Sequence, residues 1–319
     1  MRTRSVHRSQ ITGYSRPEIP VLLNFESRST DNLTPEELCV YNDIATALIV
    51  DPALTITSNK MRVKGLFKFN QSLWEKQLAA RLMNKYKDAT LEVQQQIKKE
   101  TLGKLFRTKS MCWFLDSLPN HEKRLDFRDH VIRFLALFEQ DSDCTVRLCG
   151  DYILDRGEGV KVVTKRRTYP GMTITGFSGV SAEMTHEQAE TLITRGVNDF
   201  SIEVASGHHR LLLGPAAFLN HDCNPNSVLC FGATSNVAIL KATRAIEIGE
   251  ELLISYGKHY FGPNNRFCQC LSCAKNERGF FCLTENDKPK ELKSQRPHRT
   301  SGTRKRKVDF DHDGNLCYV

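Results

Sequence analysis

From Thr34 to about residue 140, apolar positions recur at the three- and four-residue spacing of helix faces; beyond Cys144 they fall into short runs. Thr34-Pro35-Glu36-Glu37 predicts a helix start, with a capping hydroxyl, a proline at the first helical position and a glutamate three residues after the cap. Leu38, Tyr41, Ala45 and Leu48 then share one face. Asp51-Pro52 is expected to end the helix, because the residue before a proline is driven out of helical geometry. Between Gln71 and Phe138 the pattern stays helical. Leu78, Leu82 and Tyr86 make one stripe, and Ile97 and Leu105 belong to a second within Leu91 to Phe106. Phe127, Val131, Phe134, Leu135 and Phe138 make the most apolar one. Aromatic stripes of this kind pack cores far more often than they bind ligands. Residues 33–140 are therefore expected to form a helical subdomain.

Past Cys144, β-prone runs at Val160 to Thr164, Met172 to Thr175, Phe200 to Val204, Val237 to Leu240 and Leu252 to Ser255 are separated mostly by Gly, Asn and Asp. One helix interrupts them, from near Thr185 to a glycine stop at Arg195-Gly196. Many short strands with irregular connections imply an α+β protein, helices first and a domain of small sheets after, not a doubly wound α/β fold. Residues 1–32, rich in Arg and Ser with Pro17 and Pro20, read as a flexible arm. The stretch after Cys282 is poor in apolar residues and is expected to be a disordered tail, 283–319.

Composition narrows the setting. At 319 residues the chain has room for one large domain or two smaller ones. No apolar run approaches the roughly 18 residues of a membrane span, and the N-terminus has no signal-peptide core. Eleven cysteines then point to a reducing compartment, where an odd count is harmless and clustered thiols suggest a metal. Of the net charge of +8, residues 1–24 and 283–319 carry +3 each, so the middle is nearly neutral. Basic tails suit nucleic acid, chromatin or an import receptor, and Arg304-Lys305-Arg306-Lys307 fits an import signal; a merely solvated terminus explains them equally well.

The cysteine spacing is the sharpest chemical signal. Cys268, Cys270 and Cys273 lie within six residues, and a structural zinc wants four tetrahedral ligands. Cys230 and Cys282 are possible fourth ligands, but Cys223, inside the polar turn Asn220-His221-Asp222-Cys223-Asn224-Pro225-Asn226, is better placed. Free thiols are the plainer alternative. In that turn His221 fits a metal ligand, a general base, a contact to a purine edge or, most often for such a residue taken alone, a satisfied structural histidine. Gly157-Glu158-Gly159-Val160 is weak evidence alone, although glycines after Tyr152 would let backbone approach a ligand closely. No dinucleotide fingerprint or phosphate loop is present.

Asn220-His221-x-Cys223-x-Pro225-Asn226, then Gly249-Glu250-Glu251 and Tyr256-Gly257, resembles the SET-domain lysine methyltransferases. The Cys268-x-Cys270-x-x-Cys273 segment is similar to their post-SET zinc element. Asn42 to Thr46, Asn198 to Ser201, Gly214 to Phe218 and Phe261 to Cys268 narrow the resemblance to the suppressor-of-variegation 4-20 class, which methylates lysine 20 of histone H4. The resemblance implies small twisted sheets with a pseudoknot, a SET domain over 141–257 and a zinc-binding post-SET segment over 258–282. It implies S-adenosylmethionine as donor, held by Asn220, His221 and the turn containing Tyr152, Ile153, Leu154, Asp155, Gly159 and Val160. It implies Tyr256 as the catalytic tyrosine, with Tyr260 and Phe261 along the lysine channel and Ser201 at a position tied to stopping at the dimethyl product. Cys223, Cys268, Cys270 and Cys273 match the zinc ligands. The implied partner is the histone H4 tail in nucleosomes, with the basic tails on nucleosomal DNA, in the nucleus. Ser255 stands where relatives often carry an aromatic residue, and Ile153 and Leu154 replace polar ones. Other readings are a SET enzyme for another lysine and a catalytically silent chromatin-binding module. A zinc-organised nucleic-acid binder is the weakest, since the middle lacks a basic face.

Overall fold

The structure, a computed structural model, describes residues 33–54, 89–149, 159–194, 201–203, 209–231, 236–284, Asp287, and the strand residues 308–310 and 316–318. Helix α1, Pro35–Ala45, opens with the expected capping box: the Glu37 amide donates to Thr34 Oγ1 at 3.2 Å and the Thr34 amide to Glu37 Oε2 at 3.0 Å. Asp51-Pro52 does not end it. The helix widens into a π turn over Thr46–Val50, and Asp51–Leu54 continues it. The Asp51 amide reaches back to the Thr46 carbonyl, and in that looser register the missing proline N–H leaves no gap that breaks the helix.

Helices α2, Leu91–Phe106, α3, Lys109–Ser117, and α4, His121–Ala136, follow. The Leu78, Leu82 and Tyr86 stripe lies outside the described residues. The α4 stripe is core as expected, with Phe127, Val131, Phe134 and Leu135 fully buried. Tyr41 of α1 stands edge-on to Phe127 at 5.2 Å and to Phe114 at 6.3 Å, and its hydroxyl donates to the Lys123 carbonyl at 3.1 Å. Each such ring buries enough area to contribute about 1.5–3 kcal/mol.

The same apolar core runs on into the strands without a break. Strands β1, Cys144–Cys149, and β2, Gly159–Thr164, form one antiparallel pair. β3, Thr173–Met184, leads into α5, His186–Thr194, and then β4, Ser201–Glu203, and β5, His209–Leu213. β7, Ser227–Phe231, and β8, Val237–Ala242, complete the middle of a sheet whose order, beginning with β10 (Val308–Phe310) and β11 (Leu316–Tyr318), is β10-β11-β7-β8-β3-β5-β4. In the tail expected to be disordered, β10, Val308–Phe310, and β11, Leu316–Tyr318, pair with each other, and β11 adds to the β7 edge. Two two-residue strands, β6 (Asn220–His221) and β9 (Leu253–Ile254), pair in parallel apart from that sheet. The fold is thus α+β, as expected. Among the described residues no helix is long and apolar enough to cross a membrane.

The helices are props for one short stretch. Phe134 of α4 meets Phe218 edge-on at 6.1 Å, and Asn42 Oδ1 of α1 accepts the Gly214 amide at 2.9 Å. Gly214, at φ +83°, starts a single 3-10 turn, Pro215–Phe218, that delivers the chain to Asn220.

Candidate active site

The β6–β9 pair aligns Asn220 with Leu253 and His221 with Ile254, and the Asp222 amide extends the pairing to the Ile254 carbonyl at 3.1 Å. Two strands this short do not hold themselves. Asn226, wholly buried, does the holding: its amide group donates to the Glu251 carbonyl at 2.8 Å and to Glu250 Oε1 at 3.1 Å, and its Oδ1 accepts the Leu253 amide at 2.9 Å. Ser227 Oγ adds a bond to the Leu253 carbonyl at 2.8 Å. The polar turn and the Glu250-to-Tyr256 segment, distant in sequence, are stitched into one unit.

Asn220 uses its amide hydrogens within the fold, on Glu251 Oε1 at 2.7 Å and the Val160 carbonyl at 3.3 Å. Among the described residues nothing donates to its Oδ1, so a half-buried acceptor is left for a ligand beside the start of β2. Val160 is therefore brought to Asn220, with Gly159 the residue before it at the start of β2. Tyr152, Ile153, Leu154 and Asp155 lie outside the described residues, and so does Gly157.

His221, buried, links the motif to Tyr256. Its Nδ1 accepts the Tyr256 amide at 3.0 Å, which leaves the proton on Nε2, 3.3 Å from Cys223 Sγ. The Tyr256 hydroxyl donates to the Leu219 carbonyl, one residue before the motif. Around it stand His221 at 5.4 Å, Tyr260 edge-on at 4.7 Å and Phe261 near-parallel at 6.3 Å between ring centroids. Tyr260 and Phe261 also touch each other, at 4.8 Å. Ser255 closes the turn after the strand by accepting the Gly257 amide at 3.1 Å. Ser201 sits in β4 opposite Leu211, and its side chain lies outside the described residues.

Beneath His221 the four expected cysteines converge. Cys223 Sγ is 3.7 Å from Cys268 Sγ and 3.6 Å from Cys273 Sγ, and its amide donates to Cys270 Sγ at 3.4 Å. These separations are far too long for a disulfide, and all four thiols are free. They match the edge of a tetrahedron with metal–sulfur bonds of about 2.3 Å, which places sulfurs about 3.8 Å apart. Packed together, the thiols cannot ionise independently. The Cys223 and Cys268 S–H groups hold Cys270 well below the ordinary thiol range, the same crowding pushes Cys268 far up, and burial pushes Cys273 up to about 12. A divalent cation removes that conflict by letting all four be thiolates. His221 also falls within reach, its nitrogen and the sulfurs of Cys223, Cys268 and Cys270 lying within 4.8 Å of one another. The protonated Nε2 makes it a donor to the Cys223 sulfur, a partner of the cluster rather than a ligand. Cys282 instead bonds the Gly279 carbonyl, and Cys230 lies within β7.

Asp222, Asn226, Glu251 and Asn265 stand in the stretches that carry the resemblance, but the sequence assigns them no role. Asp222, buried, accepts the Asn224 amide at 2.7 Å and the Ser272 amide at 3.2 Å, so it forms the turn and caps helix α6, Leu271–Lys275, of the cysteine segment. The two-residue spacing of Asp222 and Asn224 is the local signal by which the turn could have been found.

A strand pair carrying Asn-His against a Tyr, fastened over a cysteine cluster, defines a class. Residues 29–257 match the SET domain family, and the chain belongs to that family. Among its relatives is the histone-lysine N-methyltransferase Suv4-20 of Caenorhabditis briggsae, 33% identical over 282 residues, which span 86% of this chain and 82% of that protein. The Suv4-20 enzyme of Caenorhabditis elegans is 32% identical over 277 residues, 85% of this chain and 92% of its own length. The histone-lysine N-methyltransferase set9 of Aspergillus oryzae is 29% identical over 298 residues, 90% of this chain and 46% of that protein.

Proposed function

We propose that this chain is a histone-lysine N-methyltransferase that uses S-adenosylmethionine, carries monomethylated lysine 20 of histone H4 to the dimethyl form and beyond, and acts in chromatin silencing in the nucleus. The observation that carries the reading is the clamp on Tyr256: its amide is bound to His221 and its hydroxyl to the Leu219 carbonyl, both at the Asn-His motif. Membership of the SET domain family and the two Suv4-20 relatives support the substrate class.

When bound, S-adenosylmethionine supplies an electrophilic methyl on a sulfonium. Asn220 offers Oδ1 to that ligand next to Gly159 and Val160, and Tyr152, Ile153, Leu154 and Asp155 would complete its contacts. A phenol that donates its proton to a carbonyl presents its oxygen as an acceptor. Tyr256 therefore orients an unmethylated or monomethylated lysine by accepting an amine N–H, which turns the nitrogen lone pair toward the methyl; a dimethylated nitrogen has no N–H left and is placed by the ring walls alone. The amine must first be neutral, against a reference pKa of about 10.4. Tyr260 and Phe261 help by walling the lysine with apolar surface, because desolvation disfavours the ammonium. Zinc on Cys223, Cys268, Cys270 and Cys273 would fix the floor of this site. The basic tails, including residues 304–307, would contact nucleosomal DNA or an import receptor.

A Tyr256→Phe variant tests the assignment. It should bind S-adenosylmethionine in a calorimeter as the wild type does, yet lose at least about a hundredfold in labelled-methyl transfer to nucleosomes, the scale of one positioned catalytic group. Transfer near the wild-type rate would show that Tyr256 does not do this work. Cofactor binding without transfer by the wild type would favour a silent chromatin-binding module.

A further inference from the structure

We infer that Asn265 is a positioning residue that sets the gap between Tyr256 and Phe261, and so limits how many methyl groups the substrate nitrogen receives. The inference rests on the methyl-transfer reading above. Asn265 is buried, and both polar atoms of its side chain hold the chain between these two rings. Its side-chain amide donates to the Gly257 carbonyl at 2.9 Å, directly after Tyr256, and its Oδ1 accepts the amide of Phe261 at 3.1 Å. Only this orientation of the amide satisfies both partners, so the assignment of its oxygen and nitrogen follows from the network. Its backbone amide bonds the Gly262 carbonyl at 2.9 Å, and its own carbonyl accepts the Cys268 amide at 2.9 Å. The side-chain nitrogen also lies 3.9 Å from Cys223 Sγ.

This geometry is not the default for the sequence. Asn265 and Asn264 adopt left-handed backbone conformations, with φ 55° and 52°, which asparagine tolerates better than other non-glycine residues. Gly262, at φ +89°, lies so close to the Phe267 ring that a Cβ would meet it at 2.7 Å. The loop from Gly257 to Phe267 is thus drawn back on itself around one amide. Gly257 and Phe261 are tied to that amide from opposite ends, so the positions of Tyr256 and Phe261 are coupled through Asn265.

The rings it positions are near-parallel, 16° apart in plane, and Tyr260 is edge-on to each of them. A nitrogen carrying two methyls can still turn its lone pair to the donor only if the rings leave room for both. Loosening the tie should relax the limit.

The test compares Asn265→Gly, which keeps the left-handed backbone and removes the amide, with Asn265→Asp, which keeps the acceptor for Phe261 and removes the donor to Gly257. Each is incubated with S-adenosylmethionine and histone H4 peptides bearing a monomethyl or a dimethyl lysine, and products are counted by mass spectrometry. Zinc content and thermal midpoint are measured alongside. The dimethyl-to-monomethyl turnover ratio should rise about tenfold in Asn265→Asp, the effect of one lost hydrogen bond on relative barriers, and at least as much in Asn265→Gly, which loses two. Being internal to each preparation, this ratio is unmoved by a change in folded fraction or zinc occupancy. A ratio equal to wild type in either variant, with activity falling only in step with zinc or folded protein, makes Asn265 merely structural and overturns the inference. A wild type that transfers no methyl to either peptide overturns the underlying reading and this inference with it; an active wild type with unchanged variants overturns this inference alone.

Discussion

Gly279 shows how closely single residues are fitted around the cysteines. It sits at φ +59°, and a Cβ there would come within 2.5 Å of the Cys268 carbonyl oxygen and 3.2 Å of Cys273 Sγ. The Phe280 amide bonds that same carbonyl at 2.9 Å, so the oxygen cannot retreat without losing a partner. Gly279→Ala should therefore destabilise the chain by about 2 kcal/mol through strain and overlap, and lower the uptake of the zinc proposed for the cysteines, as read by thermal unfolding and metal analysis. An unchanged midpoint with unchanged metal uptake would mean that the cluster does not need this backbone turn. At this scale the residues that come together were readable wherever they are rare types at short spacing: the cysteines, His221 and the Asn220 motif. Asn226, Glu251 and Asn265 were not. Their work is to bond backbone from remote segments, and nothing in the local sequence says which segments those are.

Helix α4 combines a legible pattern with a hidden liability. Its stripe of Phe127, Val131, Phe134 and Leu135 was read correctly from periodicity, but the same face buries His130 completely. Among the described residues neither ring nitrogen of His130 has a partner, and the ring lies 5.4 Å from Phe134 and 6.5 Å from Tyr41. Burial, assisted by the charge of Arg133, holds this histidine well below its ordinary value of about 6.5. The unfolded chain therefore takes up the proton first. Stability is intact above about pH 6.5 and is lost as pH falls below it toward the folded value. Urea unfolding at about pH 5 and about pH 8 should show His130→Phe losing less stability on acidification than the wild type. Equal losses would place the acid sensitivity elsewhere. Strands were harder to read than helices for a physical reason seen in β3. It carries Gly176, Gly179, Ser178 and Ser181, poor strand formers, yet twelve residues of it are paired or continuous. Gly179 is required there because a Cβ would meet Ala216 at 2.5 Å, and Gly176, at φ +71°, sits in the register shift against β8. Tertiary crowding chose these residues, so local propensity saw only the first part of the strand.

At the scale of the whole molecule, the helices, the sheet and the cysteine segment converge on one short strand pair. α1 and α4 brace the turn before Asn220, Asn226 fastens β6 to β9, and Asp222 caps the cysteine helix. The α+β order, the motif and the cysteine set were legible because each has a local signature; that the motif meets the strand reaching Tyr256 was expected only through the resemblance and its pseudoknot, since two-residue strands have no pattern of their own. The arrangement places Tyr256 over the cluster and beside the motif, and the proposed methyl transfer follows from that convergence. Its most direct test is mass spectrometry of recombinant nucleosomes after incubation with the full chain and S-adenosylmethionine. The account predicts added methyl groups on lysine 20 of histone H4, accumulating on nucleosomes already monomethylated there and absent with Tyr256→Phe. Methylation confined to another lysine, or none at all, would contradict it.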